Sequence, residues 1–148
     1  MNPTCFVDAN ALVYARDASA PAKQHAAESW LRLLWATRSV RVCSQALNEY
    51  YFVVTEQPRP GSSGRDEARA DVRNLMAWAP VSTDGPVVEG AWTVQDRYGL
   101  SWWDSLVAPA AQVAGCAWLL TAGLQQGQAL DGVTVVDPFR TAPEELLG

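Results

Sequence analysis

The chain has 148 residues, 49% of them hydrophobic and 18% charged, and a net charge of −5. This length suits one domain with a sizeable core, and the apolar content excludes a disordered chain. The acidic balance excludes a dedicated nucleic-acid coat or architectural protein, so any handling of RNA or DNA must be local or metal-mediated.

In chain order, the apolar run at residues 4–8 predicts a buried strand ending in Asp8, and Ala11 to about Arg16 predicts a short helix. A carboxylate at the carboxyl edge of a sheet stands where open α/β proteins place their chemistry. Asp and Asn are also preferred helix N-caps, and the residues alone leave both roles open. Pro21 opens a second helix, to about Thr37. Residues 40–43 predict a second strand, and Ser44 an N-cap for a helix running to about Glu56, which places Glu49 just after its first turn. The Pro-, Gly- and Ser-rich segment 58–64 reads as a mobile loop. A helix from Arg65 to Ala77 follows, with Arg65, Arg69 and Arg73 on one face; a solvated stripe offset by Asp66, Glu67 and Asp71 is expected rather than an RNA-facing patch.

Val81 predicts a short strand, and Thr83-Asp84-Gly85-Pro86 the start of a helix through Tyr98. Ser101-Trp102-Trp103-Asp104 has the pattern of a capping box and opens a helix over Leu106 to Ala114, which Pro109 is expected to kink or shift. Residues 117–121 and 133–136 complete the strands. Apolar strands alternating with helices imply an α/β fold with a parallel sheet covered on both faces. No residue from Ser105 to Leu130 is charged, but Pro109, Gln112, Gly115 and Gly123 break the run, so a buried helix and strand are expected, with no membrane span. Cys5, Cys43 and Cys116 have no C-x-x-C spacing and read as buried hydrophobes of a reducing, cytoplasmic setting. No secretory signal pattern opens the chain. Tyr50, Tyr51, Trp102 and Trp103 read as core rather than as platforms for bases.

Asp8, Glu49 and Asp104 are distant in sequence yet fall near one edge of such a sheet if the crossovers are right-handed. Converging carboxylates repel one another unless a cation neutralises them, and hard oxygen donors select Mg²⁺ or Mn²⁺. Such a site suits phosphodiester hydrolysis. The bland roles are a surface position for Glu49 and a charge favoured by the helix dipole for Asp104. His25 is the single histidine, which excludes a His-pair ribonuclease, and no Ser-His-Asp or Cys-His triad of the usual kind is expected either. Phosphate-binding glycine motifs are absent as well.

Four blocks carry a resemblance: residues 6–14 (FVDANALVY), 44–50 (SQALNEY), 98–106 (YGLSWWDSL) and 130–139 (LDGVTVVDPF). Together, over essentially the whole chain, they resemble a PIN domain, and most closely the VapC toxins of bacterial type II toxin–antitoxin systems. The resemblance implies a single domain over 1–148, a three-layer α/β/α fold and a central, mainly parallel sheet of four or five strands. It also implies a Mg²⁺-dependent endoribonuclease, with Asp8, Glu49 and Asp104 as metal-binding acids and Asn10 and Thr121 orienting them. A homodimer, an RNA substrate and a cognate antitoxin belong to the same expectation. One position departs from the family pattern: Thr121-Ala122-Gly123-Leu124-Gln125 has Gly123 where a fourth acid usually stands. Losing a hard ligand implies weaker metal binding, and it motivates the alternative of a PIN-fold RNA- or protein-binding module with weak or lost cleavage. Asp131 and Asp137 are the nearest acids that could compensate, although Asp131 matches a turn position.

Overall fold

A computed structural model describes residues 4–58, 60 and 64–147. The chain opens with β1 (Cys5–Val7) and α1 (Ala9–Tyr14), then α2 (Pro21–Ala36), β2 (Val40–Arg41) and α3 (Ser44–Glu56). Next come α4 (Arg65–Met76), α5 (Gly85–Tyr98) and α6 (Trp102–Val113), and the last part holds β3 (Trp118–Leu120), β4 (Ala129–Leu130), β5 (Val133–Val136) and α7 (Pro143–Leu147). The strands form one sheet in the order β2-β1-β3-β5-β4, parallel except for β4, which runs antiparallel to β5.

Both faces of the sheet are buried, which is why its strands are apolar runs rather than alternating ones. Phe6, Leu119, Val133 and Val135 pack with residues of α5 and α6. On the other face, Cys5, Val7, Leu120 and Val136 pack with residues of α1, α2, α3 and α4. The expected three-layer arrangement and mainly parallel sheet are therefore present. Val7, Leu120 and Val136 stand side by side in the sheet, so the residues that follow them, Asp8, Thr121 and Asp137, share its carboxyl edge.

Several local details differ from expectation, each for an identifiable reason. Helix α1 begins at Ala9 because Asp8 itself takes the N-cap, its carboxylate accepting from the Ala9 N–H at 2.8 Å. Cys43, not Ser44, caps α3, its sulfur accepting from the Ala46 N–H. Helix α6 starts at Trp102, immediately after the Ser101 cap, and continues through Pro109. A Cβ at Gly90 of α5 would come within 2.9 Å of Pro109, so the two helices approach at a glycine. Val81 makes a single bridge to Cys43. Strand β4 goes beyond the sequence expectation; Asp131 and Gly132 both have positive φ and form the two-residue turn that folds it back onto β5. Helix α7 is likewise additional, and Trp30, fully buried on α2, donates to the Thr141 carbonyl just before it. Residues 61–63 of the 58–64 loop lie with Arg59 outside the described residues. No helix among the described residues is long and apolar enough to cross a membrane.

Candidate metal and active site

Asp8 is placed by the end of β1, where its backbone N–H donates to the Leu120 carbonyl of the neighbouring strand. Its side chain is held by neutral donors. The Thr121 hydroxyl donates to Asp8 Oδ2 at 3.0 Å, and the hydroxyl oxygen accepts from Asn10 Nδ2 at 2.9 Å and from the Gly123 N–H at 3.1 Å. Asn10 Oδ1 accepts in turn from the Ala122 N–H. One hydroxyl thus uses its proton and both lone pairs. Asn10 and Thr121 clamp the loop after β3 onto α1 and aim a donor at Asp8.

Glu49 is exposed on α3, and its carboxylate accepts from Gln45 Nε2 at 3.4 Å. Asp104 lies in the first turn of α6, where its backbone N–H donates to Ser101 Oγ at 3.2 Å. The reciprocal half of a capping box is not formed: among the described residues the Asp104 carboxylate accepts no hydrogen bond, which leaves its oxygens free.

The three acids share one electrostatic neighbourhood. Burial pushes the Asp8 carboxyl above its ordinary value; the bonds from Ala9 and Thr121 oppose this, and the charges of Glu49 and Asp104 add to the rise. The Cys43 thiol is pushed to about 11, mainly by burial, and it too feels Asp8 and Glu49. No Lys, Arg or His pairs with any of the three acids among the described residues.

Beside Glu49 lies a cleft of about 850 Å³ between α3 and the start of α6, lined by Ser44, Asn48, Phe52, Thr83, Trp102 and Trp103 among others. Trp103 is 65% exposed, which corrects the expectation that it belongs to the core, whereas Tyr50 is buried and Tyr51 and Trp102 pack partly buried against the core clusters. The helical period offered a signal for Phe52: it lies three residues past Glu49, on the same face of α3. The Arg65, Arg69 and Arg73 stripe is exposed, but Asp71 does not offset it; Asp71 turns inward to Arg16. Asp131 is engaged by Arg97 and the Tyr98 hydroxyl, and the Asp137 carboxylate accepts from the Phe139 N–H in the turn after β5.

The donor set fits a hard divalent cation: three carboxylates, two with oxygens in reach of solvent, repel one another and have no basic partner among the described residues. They do not stand as a finished cage, since no group of three His, Cys, Asp or Glu side chains among the described residues is close enough to enclose an ion. Glu49 is exposed, and among the described residues its carboxylate accepts a hydrogen bond from Gln45 alone.

A PIN domain profile matches residues 5–129. Among solved structures, the chain is similar to FitAcB from Neisseria gonorrhoeae, at TM-score 0.64 and 15% identity over 93% of this chain and 100% of that one. It is also similar to DNA-bound VapBC from Salmonella typhimurium, at TM-score 0.61 and 15% identity over 92% and 98% of the two chains. A third is VapC20 from Mycobacterium tuberculosis, a sarcin–ricin loop cleaving toxin, at TM-score 0.55 and 16% identity over 78% and 87%. No curated protein matches the sequence. With the sheet order, the acid-bearing carboxyl edge and a profile match that spans most of its length, this chain belongs to the PIN domain family.

Proposed function

We propose that this protein is a Mg²⁺- or Mn²⁺-dependent endoribonuclease, the toxin of a type II toxin–antitoxin pair, working in the cytoplasm as a homodimer restrained by a cognate antitoxin. The observation that carries the reading is the placement of Asp8 at the carboxyl edge of the sheet, held there by the neutral donors Ala9 N–H and Thr121 and acted on by the charges of Glu49 and Asp104. A solved toxin–antitoxin complex of similar fold supports the assignment of partner.

Asp8, Glu49 and Asp104 would hold the ion, which when bound supplies positive charge to a phosphodiester and lowers the pKa of an attacking water. The chain's own residues do the positioning. Thr121 and the Ala9 N–H each occupy one lone pair of the Asp8 carboxylate and fix its plane, leaving the remaining lone pairs for a ligand. Asn10 keeps Thr121 in the rotamer that donates to Asp8.

Gly123 favours a second reading, a binding module with reduced cleavage. A Cβ there would meet Asn10 Nδ2 and Thr121 Oγ1 at 3.5 Å each, an ordinary contact beside the Asp8 network, so the place of a fourth acid exists and is empty of one. Incubating labelled RNA with wild type, Asp8→Ala and Gly123→Asp in Mg²⁺ or Mn²⁺ separates the readings. The nuclease reading expects wild-type cleavage that Asp8→Ala abolishes. Cleavage confined to Gly123→Asp would support the binding module, and none in any of the three would contradict the nuclease.

A further inference from the structure

The cleft beside Glu49 has an unusual wall for a protein that handles a polyanion. Trp103, adjacent to Asp104, is 65% exposed, and Phe52, one turn past Glu49, is 54% exposed. Both line the cleft, so Glu49 and Asp104 each have a ring on the same stretch of helix. Besides the rings the wall offers Ser44, Gln45, Asn48, Ser82 and Thr83, and no Lys or Arg is among the described residues that line it. Scattered exposed hydrophobics are normal; two rings flanking neutral amides and hydroxyls beside two acids form a pattern.

Affinity for nucleic acid ordinarily rests on cations that neutralise phosphates. Among the described residues this wall has none, and Glu49 in it repels a phosphate backbone. What it can do is stack on the flat faces of bases and hydrogen-bond their edges. A paired base has its faces covered and its Watson–Crick edge occupied, whereas an unpaired base presents both.

We propose that Trp103 and Phe52 are stacking platforms for unpaired bases on either side of the phosphate to be cut, with Gln45 and Asn48 at the base edges. Single-stranded RNA is then selected by its bases rather than by its charge. The position of the cut phosphate rests on the nuclease reading of Asp8, Glu49 and Asp104; the stacking does not.

The test is binding of a short, end-labelled, mixed-sequence RNA, single-stranded or annealed to its complement, measured by fluorescence anisotropy at fixed Ca²⁺ across a NaCl series. Single-stranded RNA should bind more tightly than duplex. Trp103→Ala should weaken it roughly ten- to hundredfold, Phe52→Ala by a similar or smaller factor, and Trp103→Phe by less than about threefold, because the smaller ring still stacks. The slope of log K against log salt should be no steeper than about −1.4, the value for roughly two neutralised phosphates on a single strand. A loss under threefold in Trp103→Ala, duplex bound as tightly as single strand, or a steeper slope would overturn the proposal. So would sedimentation showing that Trp103→Ala dissociates a dimer while RNA binding is unchanged, which would assign the ring to a protein interface. Absence of wild-type cleavage with this binding pattern intact would sink the nuclease reading and leave the stacking platform standing.

Discussion

Asp71 and Asp8 are both carboxylates held by hydrogen bonds at the edge of the core, and their surroundings are opposite. Asp71, on α4, accepts from Arg16 Nε at 2.9 Å and Nη2 at 2.7 Å and from the Tyr50 hydroxyl of α3, which ties α3, α4 and the turn after α1 together. Among the described residues Asp8 accepts only from an amide N–H and a hydroxyl, and the charges that act on it are two more acids. An acid that folds together with its own cation is complete as structure. An acid folded among acids keeps negative charge in reserve, which raises the free energy of the ion-free protein and is useful only when a cation arrives.

The largest effect that could break this contrast is on cleavage. Asp8→Asn should lower RNA cleavage by about two to three orders of magnitude, the scale of losing a group that stabilises developing charge, while Asp71→Asn should leave cleavage per folded molecule nearly unchanged. A labelled-RNA assay checks both; equal losses would erase the distinction. Next come the neutral residues around Asp8. Thr121→Val and Asn10→Ala should each lower metal affinity about 10- to 100-fold, with Thr121→Ser recovering most of it because the hydroxyl can still donate to Asp8; Mn²⁺ titration measures this.

A smaller gain is expected from Gly123→Asp, which should tighten Mn²⁺ binding by about tenfold, or about 1.4 kcal/mol, since the added carboxylate extends from a Cβ with room beside Thr121. Stability supplies the smallest and most direct contrast. In the absence of metal, Asp71→Asn should cost about 1–2 kcal/mol, because the two Arg16 bonds weaken and Arg16, 40% exposed, recovers only part of the loss from water. Asp8→Asn should stay within about 1 kcal/mol of wild type, as relief of repulsion from Glu49 and Asp104 offsets one weakened bond. Urea denaturation in EDTA decides; an Asp8→Asn variant less stable than Asp71→Asn would invert the account.

The sequence is most readable where a single period or motif settles local structure. Apolar runs identify β1, β3 and β5; Asp8 stands out because it follows a strand and Asp104 because it opens a helix, while Glu49 lies past the first turn of its helix and is marked by the block around it. Strand β4 escapes because two residues carry no period, although Asp131-Gly132 is a visible turn signal. The Asp71–Arg16–Tyr50 cluster escapes for a different reason: its members come from three separate segments, and no spacing links them. Trp103 reads as core because tryptophan usually is; it stands in the first turn of α6 and is 65% exposed, whereas Leu106 and Val107, one turn further along, are buried. Asp8 as cap and Asp8 as ligand are not true alternatives, since one oxygen satisfies the Ala9 N–H and the carboxylate retains other lone pairs.

The central claim is that residues 8, 49 and 104 hold one divalent cation together. Mn²⁺ binding to the full chain, followed by electron paramagnetic resonance, tests it without reference to any RNA. The account predicts saturable binding to wild type that Asp8→Asn, Glu49→Gln and Asp104→Asn each weaken by at least about tenfold, or about 1.4 kcal/mol, and that Asp71→Asn leaves alone. Binding indifferent to all three substitutions, or lost only with Asp71, would contradict it.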